Sequence, residues 1–209
     1  MYRVLLVDDH VVVRQGIARL VERSTGLLLA GEASSGPEAT AFLLANPVDL
    51  LVTDLDMTGG GLEFIERVHE LRPNLRILVL SQHSEREFAI RALTAGAHGY
   101  LTKMADATTL EEAMRRVASG RRYLSETAQE LALEQLAAPD PAAPPHARLS
   151  TRELEVLVHL ARGRRVGEIA EELGISMKTV STHRTRILEK LGLTSTVDLA
   201  LYAREHDLV

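Results

Sequence analysis

The sequence predicts an α/β domain built on a five-stranded parallel sheet covered on both faces, followed by a smaller all-α domain. Three observations predict it. Short apolar runs alternate with helix-period segments five times before residue 120, a rhythm that calls for βα units and a parallel sheet. Four of the seven prolines crowd into Ala137-Ala138-Pro139-Asp140-Pro141-Ala142-Ala143-Pro144-Pro145-His146. Their missing amide donors, and the restriction each places on the residue before it, favour an extended, semi-rigid linker. Beyond that linker only helical periodicity remains.

In chain order, the runs at 4–7, 27–30, 50–53, 77–80 and 99–101 are the strands. Their short length and largely apolar character suit strands buried on both faces. Helical spacing fills 11–23, 37–45, 61–71, 85–95 and 108–119. Ser84-x-x-Glu87 and Thr108-x-x-Glu111 have the form of capping boxes, which mark helix starts. A further helix, 125–137, leads into the linker, and four helical segments follow at 150–162, 167–173, 177–191 and 196–206. The chain thus divides into residues 1–120, an extra helix with a Pro/Ala-rich linker at 121–148, and residues 149–209.

Composition narrows the function classes. With 45% hydrophobic and 25% charged residues the chain can bury a proper core, and with 3% aromatics and no Trp that core rests on Leu, Val, Ile and Ala. The absence of Cys excludes disulfides, thiolate zinc sites and cysteine nucleophiles, and fits a reducing compartment. No apolar stretch is long enough for a signal peptide or a membrane span, so the expectation is a soluble, cytoplasmic protein with no membrane partner. Residues 1–148 hold 15 Lys and Arg against 20 Asp and Glu, whereas residues 149–209 hold 9 of each. The acidic excess therefore lies before the second domain, which is free to carry a local basic face.

In open parallel sheets, ligands bind beyond the carboxyl ends of the strands. There this sequence sets Asp8 and Asp9 after the first strand, Asp54 after the third, Ser81 after the fourth and Lys103 after the fifth. Three carboxylates at one edge repel each other and call for a cation, and an all-oxygen set suits Mg2+. A hydroxyl and an ammonium opposite can hold phosphoryl oxygens, and the central Asp54 is the natural nucleophile to accept a phosphoryl group.

The run Val7-Asp8-Asp9-His10, the segment Asp54-Leu55-Asp56-Met57, Ser81 and Tyr100-Leu101-Thr102-Lys103 resemble the receiver domain of two-component response regulators of the NarL/FixJ group. The resemblance covers about residues 1–120 and implies a flavodoxin-like fold. It implies that Asp54 is the phosphoacceptor, that Asp8, Asp9 and Asp54 hold Mg2+ with the backbone carbonyl of Asp56, and that Ser81 and Lys103 contact the phosphoryl group. Tyr100 matches the aromatic that moves inward in activated receivers. Thr58 stands where the family usually has proline, which implies a looser loop after the phosphoacceptor. Asp56 and Gln82 put a further charge and a bulky amide beside the pocket. His10 and His83 flank it, and both are read as surface histidines with no catalytic task.

Asp54-Leu55-Asp56-Met57-Thr58 also fits the D-x-D-x-T nucleophile motif of haloacid-dehalogenase-type phosphatases, which turn over phosphomonoesters. Chain order argues against that reading. In that family the acidic pair follows the nucleophile strand, whereas here Asp8 and Asp9 precede Asp54.

In the second domain, residues 166–180 read as helix, tight turn, helix. Ala170 is small enough for close crossing, Gly174 allows the turn, and Ile169, Leu173, Ile175 and Val180 supply the apolar contacts. Ser176 is a good N-cap. On the following helix Val180, Ile187 and Leu191 share a face, leaving Ser181, Thr182, Thr185, Arg186 and Glu189 opposite. Lys178, Arg184, Arg186 and Lys190 against Glu189 give a local charge of +3, the footprint of a helix that approaches phosphates.

From Leu149-Ser150-Thr151-Arg152-Glu153 through Lys178-Thr179-Val180 to Lys190-Leu191, residues 149–209 resemble the LuxR-type DNA-binding domain. The resemblance implies a four-helix module whose third helix enters the major groove and whose fourth makes a dimer contact. It puts Ser181, Thr182 and Thr185 at the bases and Lys178, Thr179, Arg184 and Lys190 near phosphates, with Arg186 open to share the readout. The whole chain then reads as a transcriptional regulator, not an enzyme. A sensor histidine kinase phosphorylates Asp54 and so controls homodimerisation on paired half-sites in double-stranded DNA. The alternative is constitutive DNA binding with a phosphorylation-independent receiver.

Overall fold

The computed structural model describes residues 1–137 and 144–209. The centre of the expected linker, residues 138–143, lies outside the described residues. The chain forms two compact units, Met1–Gln129 and Glu130–Val209.

In the first unit, β1 (Tyr2–Val7), β2 (Leu27–Ala33), β3 (Leu50–Thr53), β4 (Arg76–Ser81) and β5 (Gly99–Thr102) form one sheet in the order β2-β1-β3-β4-β5. Every pairing is parallel. The connecting helices are α1 (Val11–Arg23), α2 (Gly36–Ala45), α3 (Gly61–Leu71), α4 (Glu85–Thr94) and α5 (Ala107–Ala118). The strand order turns back between β1 and β3, which opens a crevice at their carboxyl ends.

Side-chain alternation explains why the runs are mostly apolar on both faces. Val4, Leu6, Leu50, Val52, Leu78, Leu80 and Leu101 pack against Ile17 and Val21 of α1 and Leu110, Met114 and Val117 of α5. Their neighbours Leu5, Leu51, Ile77, Val79 and Tyr100 are as deeply buried, and a period of two turns them to the opposite face. Each such Leu or Ile contributes about 2 kcal/mol relative to exposure.

β2 runs three residues beyond the expected 27–30. It is an edge strand, paired only with β1, and its exposed Glu32 pairs with Arg14 of α1 at 3.0 Å. The register shifts between Val4 and Leu5, where Leu29 and Gly31 are their successive partners. Gly31 is required there, since a Cβ would lie 2.4 Å from the Phe42 ring.

Helix caps follow the sequence signals with one displacement. Ser84 caps α4, its Oγ accepting from the Arg86 N–H at 3.2 Å. The box expected at Thr108 gives way to Asp106, whose carboxylate accepts from the Thr109 N–H at 2.8 Å, so α5 starts at Ala107. A carboxylate at this position also complements the helix dipole, which a threonine does not. After α5 the chain returns along β5, with the Tyr123 N–H donating to His98 O at 3.1 Å.

α6 (Glu126–Ala137) spans the boundary between the units. Pro145–Arg148 form a 3₁₀ turn in place of the expected extended chain, because a proline at the first position of such a turn lacks only an N–H that would go unpaired anyway. The second unit continues with α7 (Thr151–Ala161), α8 (Val166–Glu172), α9 (Met177–Leu191) and α10 (Thr196–Glu205). Leu154, Leu157, Ile169, Leu173, Val180, Ile187 and Leu199 are buried. Ser150 and Glu153 close a capping box on α7, and Ser176 caps α9 by accepting from the Thr179 N–H at 3.1 Å. No helix among the described residues is long and apolar enough to cross a membrane.

Candidate functional site

The sheet ladder continues past the strand ends and aims the pocket side chains. The Asp54 N–H donates to Val7 O at 2.9 Å, the Asp8 N–H to Ala33 O at 3.2 Å and the Lys103 N–H to Ser81 O at 2.8 Å. Asp8, Asp54 and Lys103 therefore converge at one edge. Lys103 Nζ lies 2.8 Å from Asp8 Oδ2 and 2.6 Å from Asp54 Oδ2. Asp54 Oδ1 accepts the Leu55 N–H at 2.7 Å and Asp8 Oδ1 accepts the His10 N–H at 2.8 Å. Asp9 stands at the rim, its Oδ1 2.7 Å from His10 Nδ1.

Burial dominates the electrostatics. It pushes Asp54 up to about 6, with Asp56 and Asp8 adding to the shift and Lys103 opposing it. Burial pulls Lys103 down, but the Asp54 and Asp8 carboxylates more than offset it and hold the ammonium above its ordinary range. Two buried carboxylates with one ammonium between them remain short of positive charge. Side-chain ligand atoms of Asp8, Asp9, His10 and Asp54 lie within 4.8 Å of one another. The three carboxylates can take a hard divalent cation such as Mg2+.

The side of the pocket formed by β4 and β5 holds a chain of contacts that sequence reasoning missed. His83, expected at the surface, is buried at 2% exposure. Its Nε2 lies 2.6 Å from Asp56 Oδ1, its ring stacks on Phe88 with centroids 4.4 Å apart, and its N–H donates to Ser81 Oγ at 3.2 Å. Tyr100 points inward and donates its hydroxyl to His83 O at 3.0 Å, and burial raises its pKa above the ordinary phenol range. The Asp56 charge is thus directed at an imidazole, while Gln82 is exposed. Only the two-residue spacing of His83 from Ser81 hinted at the contact, because alternate residues share a side of extended chain.

The loop after Asp54 is restrained without proline. The Gly36 N–H donates to Thr58 O at 2.9 Å, the Gly60 N–H to Met57 O at 2.8 Å and the Gly61 N–H to Leu55 O at 2.9 Å. Met57 is fully buried. A side chain at Gly36 would collide with the Gly59 carbonyl, 2.0 Å from its Cβ.

In the second unit, Gly174 adopts φ +64° and the Ile175 N–H donates to Ala170 O at 2.9 Å, closing the turn between α8 and α9. Arg152 Nη2 caps the end of α8 by donating to Leu173 O at 2.6 Å. Along α9, Lys178, Ser181, Thr182, Arg184, Thr185, Arg186 and Lys190 are exposed, and Thr179 is half-buried with its hydroxyl 2.7 Å from Ser176 Oγ. Ser181, Thr182 and Thr185 donate to the carbonyls four residues back, of Met177, Lys178 and Ser181. Their oxygens therefore face outward as acceptors, beside the threonine methyl groups. Arg184 Nε donates to Thr196 Oγ1 at 3.0 Å, and Lys190 Nζ pairs with Glu153 at 2.6 Å. These two cations thus tie α9 to α10 and α7, leaving Lys178 and Arg186 less constrained. A further cation, exposed Arg165, precedes α8. At Gly167, in the first turn of α8, a Cβ would stand 3.8 Å from Met177, the first residue of α9.

Comparison with known proteins places both units. Residues 4–115 match the response regulator receiver domain, and residues 147–203 match bacterial regulatory proteins of the luxR family. The chain is 40% identical to the response regulator UvrY of Escherichia coli O6:H1 over 210 residues, covering 100% of this chain and 96% of UvrY. It is 38% identical to the response regulator GacA of Pseudomonas aeruginosa, covering 100% and 98%. Among solved structures, RcsB of Salmonella enterica serovar Typhimurium, bound to promoter rprA in the presence of the phosphomimetic BeF3−, aligns with a TM-score of 0.71 at 28% identity, covering 96% of this chain and 97% of RcsB. The chain is a two-component response regulator of the NarL/FixJ family, a phospho-regulated transcription factor that joins a receiver to a LuxR-type DNA-binding domain.

Proposed function

We propose that a sensor histidine kinase phosphorylates Asp54 and that the acyl phosphate controls homodimerisation and sequence-specific binding to paired DNA half-sites. The observation that carries this reading is the clamp on Asp54. A buried carboxylate at the strand switch point is held by Lys103, which also contacts Asp8. In the transfer, an Asp54 carboxylate oxygen attacks the phosphorus of the kinase phosphohistidine. The P–N bond breaks, and the imidazole leaves with the bonding pair and takes up a proton. Lys103 then moves its hydrogen bonds from the carboxylate to a phosphoryl oxygen, and Ser81 donates its hydroxyl to another. Mg2+, held by Asp8, Asp9, Asp54 and the Asp56 backbone carbonyl, would supply the positive charge that three clustered oxyanions need. Loss of the Lys103–Asp54 bond draws the chain after β4 toward the pocket, and Tyr100 transmits that shift through the His83 carbonyl.

Residues 1–120 act as the receiver, 121–148 as the connecting helix and linker, and 149–209 as the DNA-binding domain. Lys178, Thr179, Arg184 and Lys190 serve the phosphates, with Arg165 beside them. Ser181, Thr182, Thr185 and Arg186 serve the bases. The protein works in the cytoplasm without enzymatic turnover. RcsB bound to its promoter with BeF3− supports the link between phosphoryl mimicry and DNA binding.

The test is binding-site selection with the full chain, with and without acetyl phosphate and Mg2+, alongside Asp54→Asn. Selection of a paired site that strengthens on phosphorylation, and does not strengthen in Asp54→Asn, is expected. Equal affinity in all arms, with Asp54 shown to be phosphorylated, would overturn the switch and favour constitutive binding.

A further inference from the structure

The end of the receiver sheet opposite the acidic pocket, where β1, β3 and β4 begin, carries a cavity of about 350 Å3. Tyr2, Val48, Arg72, Leu75 and Arg76 form much of its wall. Its one carboxylate, Asp49, is already saturated. The Arg3 backbone N–H, Nε and Nη2 donate to it at 2.8, 2.9 and 2.8 Å, and this hydrogen-bonded guanidinium holds the Asp49 carboxyl down at about 2.

Arg72 and Arg76 have no carboxylate within ion-pair distance among the described residues. Arg72 donates Nη2 to the carbonyls of Leu43 and Asn46. Arg76 Nη1 lies 3.0 Å from His98 Nε2. Burial and then the charges of Arg76, Arg122 and His69 depress His98 to about 4. Two guanidinium groups without counter-charge, beside an exposed tyrosine ring and apolar side chains, describe a receptor for an anion with an apolar body. A phosphate dianion balances both arginines and matches the guanidinium fork. The volume falls at the lower end of the range of small-ligand sites, roughly 300–1,000 Å3.

We propose that this cavity binds a small phosphate monoester bearing a planar ring, with Arg72 and Arg76 gripping the phosphate and Tyr2, Val48 and Leu75 packing the ring. This makes the receiver responsive to a soluble effector at a site separate from Asp54.

Isothermal titration calorimetry of the full chain in EDTA tests it, with adenosine 5′-monophosphate and inorganic phosphate as probes. EDTA keeps cation-dependent binding at the acidic edge out of the measurement. Saturable 1:1 binding of the nucleotide below about 1 mM is expected, with inorganic phosphate at least about tenfold weaker. Arg72→Gln and Arg76→Gln should each weaken the nucleotide by about tenfold. Asn74→Trp, on the exposed lip of the cavity, should block it without disturbing the core, and Asp54→Asn should leave it unchanged. No saturation by about 5 mM, equal affinity for both probes, or binding indifferent to Asn74→Trp would each overturn the proposal.

Discussion

Nε2 of His83 lies 2.6 Å from Oδ1 of Asp56, joining the loop after β3 to the loop after β4. The contact is buried, and the same histidine backbone receives the Tyr100 hydroxyl. His83→Ala removes a stacked ring and strips a hydrogen-bond partner from Asp56. We expect a loss of about 2–3 kcal/mol in the urea unfolding of the receiver. A change under about 0.5 kcal/mol would show that the pair carries no structural weight.

Lys103 is the cation seen on Asp8 and Asp54, so its removal exposes the deficit of charge at the edge. Lys103→Ala should cost about 3 kcal/mol in EDTA, because it leaves buried carboxylates uncompensated. Adding Mg2+ should recover a large part of that loss by binding only the folded form. Thermal unfolding with and without Mg2+ checks this, and an equal loss in both buffers would contradict the account of the pocket.

His98 makes receiver stability depend on pH. Its folded pKa of about 4, set by burial and then by Arg76, Arg122 and His69, lies below the ordinary histidine value near 6.5. The unfolded chain therefore binds the proton first. The contribution is fully present above pH 6.5 and is lost as pH falls from 6.5 toward 4. The side chain is only partly buried, so solvent screening discounts the effect to about 1 kcal/mol between pH 7 and 4.5. Urea midpoints across this range should flatten in His98→Asn relative to the parent, and parallel curves would refute the assignment.

Cations on α9 divide by their partners. Lys178→Ala should weaken binding to all DNA sequences alike and lower the slope of log K against log salt by about 0.9. Lys190→Ala should weaken DNA binding in the same way and in addition cost about 1 kcal/mol of folding stability, since it frees the buried Glu153 that closes the α7 capping box. Salt titrations of DNA binding, paired with urea unfolding, separate the two. Identical behaviour of both variants would contradict the division.

Strand and helix periodicity carried the fold because both are local properties. A run such as 77–80 is apolar at every position, and only a strand buried on both faces needs that. Asp8, Asp54 and Lys103 were legible for a related reason, since strand ends in a parallel sheet converge whatever the intervening helices contain. Ser176 was readable as a cap because a cap acts within three residues. Thr108 misled because Asp106 offered the same service two positions earlier, and the choice between them is set by backbone angles.

The amino-acid sequence alone determined the layered α/β domain, the helical domain after the prolines, and which residues reach the acidic edge. Each of these follows from short-range spacing and from the fixed geometry of strands and helices. Tertiary structure alone decided that His83 is buried against Asp56, that Lys190 and Arg184 brace neighbouring helices, and that Arg72 and Arg76 line one cavity while Asp49, its carboxylate, is paired with Arg3. Those facts depend on which side chains meet across long stretches of chain, as Arg184 meets Thr196 across 12 positions and Lys190 meets Glu153 across 37. Spacing along a strand or helix carries no record of such meetings.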